Sequence, residues 1–275
     1  MDIPKVHSIT KKIMVALLGG FLMLFLLFHA TANLFILRHD DGAWYTAFCH
    51  FMGTNWIVKV FEVVLLGAIA LHMLLTLWLA LTNRAARPVR YHHRQESKTH
   101  TTSKWMVWTG ILIFACLIFH FCDFYFVKLG WVKGEYMVKV EKLQEEEGMR
   151  DKVAVMDIVQ RAVEEDNLSA DRQWIRHLTY DERQVLRREV PESKPEPDFY
   201  YMARSKFQSL YIVVMYLLFF AVVFMHMRHA FPAAFQTLGL NNYKYNNIIE
   251  TVGKIYTWVV TMMFSAVPIL VYLGI

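Results

Sequence analysis

Five histidines lie inside long apolar stretches, where a polar imidazole is costly to bury. Four successive stretches contain one each, at His29, His72, His120 and His226, and His229 follows His226 after one helical turn. A titratable ring at membrane depth is usually found only where it faces the bundle interior and has a partner. Neutral imidazole is a good metal ligand, and one ligand per helix is typical of cofactor sites in bundle cores. The pattern therefore predicts that these histidines bind a shared cofactor.

Five stretches of the sequence, which must position these histidines, are long enough to cross a membrane. A membrane-spanning helix takes about 20 mainly apolar residues. With 56% hydrophobic and 19% charged residues, the chain is more apolar and less charged than a soluble domain. We predict an all-α membrane protein with five transmembrane helices in a bundle. The predicted helices cover residues 13–37, 56–81, 105–126, 210–235 and 252–273.

Basic residues decide the predicted orientation, because cytoplasmic loops are enriched in lysine and arginine. The segment 84–104 holds six basic residues and one acid, whereas the connection between the first two helices holds Asp40 and Asp41 and no lysine. The N-terminus and the basic loop 83–104 are therefore predicted to lie inside. The first connection, the third connection and the C-terminus are then predicted to lie outside.

A polar insertion separates the first three helices, within residues 1–130, from the last two, within residues 206–275. It covers residues 131–205, and 17 of the 24 acids lie between positions 130 and 205. Apolar residues from Val138 to Ile158 recur at roughly helical spacing, which predicts one or two amphipathic helices. The prolines in residues 191–197 predict a stiff, extended linker. The charges fit a solvated surface or a surface for an outside partner, and both interpretations stay open; no nucleic-acid partner is expected.

Two of the histidines lie at similar depth towards the outside. His29 comes 17 residues after Lys12, and His120 comes 16 residues after Lys104. At about 1.5 Å per residue, these separations place them roughly 26 and 24 Å from the inner edge. We predict that His29 and His120 form an outer pair.

The other two lie towards the inside. His72 comes 17 residues after Asn55, and His226 comes 20 residues after Lys206, roughly 26 and 30 Å from the outer edge. We predict that His72 and His226 form an inner pair. Helix tilt can shift such a depth by one turn, so His229 is the alternative inner ligand; if it is not the ligand, it could contact a haem propionate or a quinone.

Two stacked bis-histidine sites are what two b-type haems require, since imidazole is a common axial ligand of haem iron. A zinc site is less well supported, because such sites usually show ligands at local spacing. Asp123 is the sole carboxylate one turn from any of these histidines. The three cysteines are also too few and too scattered for a disulfide framework.

Two acids lie in the outer parts of the predicted helices, Glu62 and Asp123. Intramembrane acids are candidates for function, and these could accept protons released from a quinol. The other interpretation is a helix-end acid in contact with water, Lys59 or Lys128. On the inner side, three bases could neutralise haem propionates or only enforce topology: Arg84, Arg87 and Lys104.

These residues resemble a known family, the di-haem cytochrome b subunit of succinate dehydrogenase and fumarate reductase complexes, in its bacterial form with one large anchor subunit. The resemblance covers all five helices. This sequence departs from the family pattern at Ala230, where a glycine is usual. Its insertion before the fourth helix is also longer than expected for the family. The motifs that carry it are residues 29–33 (HATAN), 83–88 (NRAARP) with Tyr91, 103–110 (SKWMVWTG), 226–229 (HMRH), 234–239 (AFQTLG), 240–241 (LN) and 244–245 (KY).

The resemblance implies the same histidine pairs as the depth argument, with two haems b as cofactors. It also implies a flavoprotein with covalent FAD and an iron–sulfur subunit docked on the inside, for which the basic segment 84–104 is a natural surface. Electrons from succinate would reach a membrane quinone, with menaquinone the usual partner, or run in reverse for fumarate reduction. Some members use an acid beside the ligand on the fourth helix, but Phe224 and Met225 precede His226 here.

Two other functions stay open. A di-haem cytochrome b of a hydrogenase or formate dehydrogenase also uses histidines on helices, although no match to that arrangement is evident. A haem-free, proton-coupled transporter would use the histidines as a relay. Such a transporter predicts helices broken by glycine or proline in corresponding halves, and only Gly19-Gly20, Pro232 and Pro268 come close.

Overall fold

A computed structural model of the chain describes residues 8–85, 105–144, 152–169 and 172–275. It contains five helices that are long and apolar enough to cross a membrane, so the prediction of an all-α, multi-pass membrane protein is confirmed. The spanning helices are α1 (Ser8–Leu34), α3 (Trp56–Ala85), α4 (Met106–His120) continued by a π-helical turn (Phe121–Tyr125) and α5 (Phe126–Leu129), α10 (Leu210–Thr237) and α11 (Asn246–Tyr272).

These helices are apolar on nearly every side. Such a helix is stable only where its surface meets other helices or lipid. In the most apolar 18-residue window of each spanning helix, between 6% and 28% is buried within the chain. Most of the apolar surface of these helices is therefore left for lipid. Trp56, Val63 and Trp78 of α3 illustrate this, with 72%, 71% and 58% of their surface exposed.

The described chain divides into two compact units. The first unit holds most of the membrane helices, within Met1–Leu34, Trp56–Cys116 and Val214–Ala266. Its buried core contains Ala30, Val223, Met227 and Val260, from α1, α10 and α11. The Tyr256 hydroxyl of α11 also donates a hydrogen bond to the Met23 carbonyl of α1. Small and medium-sized side chains thus let these helices approach closely.

The second unit holds the polar insertion and the chain around it, within Phe35–Asn55, Leu117–Val213 and Val267–Ile275. A three-stranded antiparallel sheet in the order β2-β1-β3 lies at its centre. The strands and helices are α2 (Ala43–Thr54), β1 (Tyr136–Lys139), α6 (Val140–Gln144), α7 (Val153–Glu164), β2 (Trp174–Leu178), α8 (Tyr180–Glu189), β3 (Glu196–Pro197) and α9 (Phe199–Lys206).

The insertion is a small α+β domain with its own apolar core, rather than isolated amphipathic helices. Tyr136 and Val138 of β1 pack with Val155 and Ile158 of α7 and with Leu186 of α8. The prediction of helical structure from the apolar spacing is confirmed for α7 but is wrong for Val138, which lies in strand β1. Three successive residues of β1 are buried, so the strand lacks the polar–apolar alternation that would have revealed it.

The predicted extended linker at 191–197 is also wrong. Pro191–Ser193 form a 3-10 turn, and Glu196–Pro197 form strand β3 paired with β1. Pro197 is compatible with strand β3 because β3 is an edge strand, where a residue without an N–H group can be accommodated. The segment is therefore part of the insertion domain.

The first connection, where no element was predicted, contains helix α2 and is tied to the insertion domain. Arg176 of β2 forms two hydrogen bonds of 2.7 Å with the carboxylate of Asp198, and a third with the carbonyl of Asp41. Although burial alone would lower the Arg176 pKa, hydrogen bonds and the charge of Asp198 raise it above its usual value. His50 of α2 lies 2.8 Å from the carboxylate of Glu196. Two membrane helices lie between the first connection and the insertion, which is the third connection. Two full crossings would place both connections on the same side of the membrane.

We expect the buried ion pair to be important for the stability of the insertion domain. Replacing Arg176 with methionine leaves the Asp198 carboxylate, 0% exposed, without its partner, and such losses cost about 3–5 kcal/mol. Hydrogen exchange of the full chain should show faster exchange of the β2 amides. The matched control is Arg188→Met, whose pair with Glu189 is 76% and 35% exposed and should change stability by less than about 1 kcal/mol. Equal effects of both substitutions would contradict the assigned role.

Candidate functional site

The inner pair of histidines lies within the first unit. His72 extends from the middle of α3 and His226 from the second half of α10, and both are half-buried. Their imidazoles are near enough to interact electrostatically. Two helices far apart in sequence thus bring two imidazoles to one region of the bundle, which is the arrangement that a shared cofactor needs.

His226 is held by the start of α4. Its Nδ1 lies 3.1 Å from the hydroxyl of Thr109, which is itself buried. The neighbouring Gly110 has no side chain, and a Cβ there would lie 3.6 Å from His226 Cε1. A hydrogen bond on one edge and a glycine beside the ring therefore position the imidazole.

His72 faces α1 in a similar way. A Cβ at Gly19 would lie 3.3 Å from His72 Cε1, which is closer than most side-chain contacts allow. The ring interacts with the backbone of Val15. Its Nδ1 is buried and has no hydrogen-bond partner in the described part of the chain. A buried imidazole nitrogen without a partner is costly, and this one marks a place where the protein alone does not satisfy the ring.

His29, of the predicted outer pair, lies in the first unit and is half-buried. Its ring stacks on Phe25 with centroids 5.3 Å apart and lies against Phe264 of α11 at 5.9 Å. One turn later, Asn33 donates a hydrogen bond of 2.8 Å to the His29 carbonyl. Its amide nitrogen also lies 3.4 Å from His29 Nδ1. Residues 29–33 therefore form a local unit that orients the imidazole.

His120, its predicted partner, lies in the second unit as the last residue of α4. The helix then widens into the π-helical turn, and the ring lies 5.3 Å from that of Phe124. A π-helical turn adds a residue to the helix and often occurs at functional sites. Here it changes the direction of the side chains that follow His120.

Asp123, within this π-helical turn, is paired with the insertion domain. Its carboxylate accepts a hydrogen bond of 2.6 Å from Lys206 of α9. Lys128, the cation considered in the sequence as a partner of Asp123, lies over the Tyr125 ring. The pair links the end of the insertion domain to the turn that follows His120.

The other residues that the sequence suggested for the site lie on α3, on α10 or in the basic loop. Glu62 is half-buried on α3, and His229 is half-buried one turn after His226 and within electrostatic range of it. Arg84 lies exposed in the last turn of α3. Arg87 and Lys104, with most of the basic loop, fall outside the described residues. The roles of these residues stay predictions.

In the described ranges, no three or more His, Cys, Asp or Glu side chains come together as a metal-binding group. A porphyrin leaves only two iron positions for the protein, and two histidines suffice for them. Burial raises the pKa of the Cys49 thiol in α2 to about 12, so this cysteine is not a reactive thiol at neutral pH.

Comparison with models of known protein families, with curated proteins and with solved structures found no match to this chain. The fold and the geometry of the histidines are therefore the basis for any functional assignment.

Sequence reasoning found the histidines but missed the residues around them. The hydroxyl of Thr109 and the small surfaces of Gly19 and Gly110 matter because of how the helices are rotated against each other. One signal was present in the sequence: glycine weakens a helix, so Gly19 and Gly110 within apolar helices suggest that close packing requires them.

Gly19 and its neighbour Gly20 offer a matched test of this site. At Gly19, valine has no room unless the His72 ring moves, whereas a Cβ at Gly20 would meet no atom within 4 Å among the described residues. Both substitutions change helix propensity equally. If the chain binds two haems b as the sequence predicts, Gly19→Val should lower the haem content of the purified chain by about half, through loss of the inner haem, and Gly20→Val should keep it. Equal haem contents, measured by absorbance, would contradict a site at His72.

Proposed function

We propose that this chain is a membrane cytochrome b that binds two haems b. The observation that carries the proposal is the inner pair, in which two imidazoles from distant helices lie within electrostatic range of each other and each lies beside a glycine. Paired imidazoles from different helices are the ligands that a b-type haem in a helical bundle requires.

Four residues would hold the two groups. His72 and His226 would be the axial ligands of the inner haem, and His29 and His120 those of the outer one. When bound, haem supplies one-electron chemistry at iron, tuned by its ligands and by the apolar surroundings. The chain's own residues orient the imidazoles and exclude water: Thr109 holds His226, and Phe25 and Phe264 cover His29.

We further propose that the chain is the anchor subunit of a succinate dehydrogenase or fumarate reductase complex. It would carry electrons between an iron–sulfur subunit and membrane quinone, with menaquinone the expected partner. The support is the set of motifs around the histidines, which resembles that family across all five helices. The dicarboxylate chemistry would then belong to a flavoprotein, docked with the iron–sulfur subunit on the inside of a bacterial inner membrane.

The shapes of the helices favour this proposal over a haem-free transporter. A transporter of that kind needs discontinuous helices at its binding site. α10 and α11 are each a single helix despite Pro232 and Pro268, and α1 runs through Gly19 and Gly20 without a break. The π-helical turn after His120 widens the third spanning helix rather than ending it.

The assignment to a complex is tested by isolating the tagged chain from its native membranes in mild detergent. We expect a flavoprotein with covalently bound flavin to accompany it, and succinate to reduce the haem absorbance of the sample. Fluorescence of the denatured sample in a gel detects the flavin, and visible spectroscopy follows the reduction.

Formate and hydrogen serve as the comparison. Reduction of the haem by either one, without a flavoprotein, would assign the chain to the alternative kind of di-haem cytochrome b. The fractions must be free of other cytochromes, and a mock isolation from cells that carry the untagged chain controls for this.

A further inference from the structure

The hydrogen bonds around Thr109 form a short chain. The Thr109 hydroxyl donates to the carbonyl of Met106 over 3.0 Å. The same oxygen lies 3.1 Å from Nδ1 of His226. Thr109 is 8% exposed, so water does not readily replace either contact.

A hydroxyl has a single proton to donate and can accept with its lone pairs. Because the Thr109 proton is directed to Met106, its oxygen accepts from His226, and Nδ1 of His226 must carry the hydrogen. The buried hydroxyl therefore favours one tautomer of His226.

We propose that Thr109 is a positioning residue that fixes His226 in the tautomer with hydrogen on Nδ1. In neutral imidazole the other nitrogen, Nε2, then keeps its lone pair and can bind iron. The inference rests on the proposed haem site, and it adds a residue to the two ligands of the inner pair.

The two inner ligands differ in this respect. His226 has a buried hydroxyl on Nδ1, whereas Nδ1 of His72 has no hydrogen-bond partner in the described part of the chain. A hydrogen-bond acceptor on Nδ1 makes imidazole a stronger donor to the metal, and a stronger donor favours ferric iron. The hydroxyl of Thr109 therefore lowers the midpoint potential of the inner haem.

The test uses the purified, haem-loaded chain with three substitutions. Thr109→Val keeps the shape of the side chain but removes the oxygen, and Thr109→Ser restores it. Thr257→Val is the matched control, because Thr257 is 0% exposed and donates to the Gly253 carbonyl within its own helix. Redox titration followed by visible absorbance gives the two haem potentials, and low-temperature EPR spectroscopy of the ferric protein reports the ligand field of each haem.

We expect Thr109→Val to shift one haem potential to a more positive value and to change the EPR signal of that haem, with Thr109→Ser close to the unsubstituted chain. Loss of one haem in Thr109→Val, recovered in Thr109→Ser, supports the same role. Thr257→Val should leave both haems unchanged.

The inference is overturned if Thr109→Val keeps both haems with unchanged potentials and EPR signals, or if Thr257→Val has the same effect. A shift to a more negative potential also overturns it. An unsubstituted chain without any haem would instead refute the proposed function itself, and with it the premise of this inference.

Discussion

The structure depends on one physical constraint: an imidazole placed among apolar helices must have its polar atoms satisfied. Apolar side chains and lipid provide no hydrogen bonds, and an unsatisfied polar group at this depth is costly. The chain meets this constraint at His226 with a threonine hydroxyl, whereas no group among the described residues meets it at Nδ1 of His72. The glycines beside both rings allow the imidazoles to lie close to the neighbouring helix backbones.

The insertion domain is connected to the membrane helices by polar contacts in the second unit. Lys206 at the end of α9 pairs with Asp123, three residues after His120. At its other side, Arg176 and Asp198 form a buried ion pair that also binds the backbone before α2. Breaking a buried pair of this kind is far more costly than breaking one in water. Within the second unit, the domain is therefore tied both to the chain before α2 and to the turn after His120.

The sequence predicted the parts of the molecule that depend on composition and long apolar runs. All five spanning helices follow from their length, and the histidines stand out because polar rings are rare there. It could not predict Thr109 as the neighbour of His226, since that depends on how α4 and α10 are rotated. The π-helical turn leaves no pattern, because one inserted residue does not change the apolar composition. β1 was mistaken for helix because it is short and buried on both faces.

The central claim is that four histidines on four helices bind two haems b. It is tested most directly by measuring haem b per polypeptide in the purified chain, from the reduced-minus-oxidised spectrum of the pyridine complex and a protein assay. The account predicts two haems b for each chain. A chain that folds and purifies normally but contains one haem, or none, would contradict it.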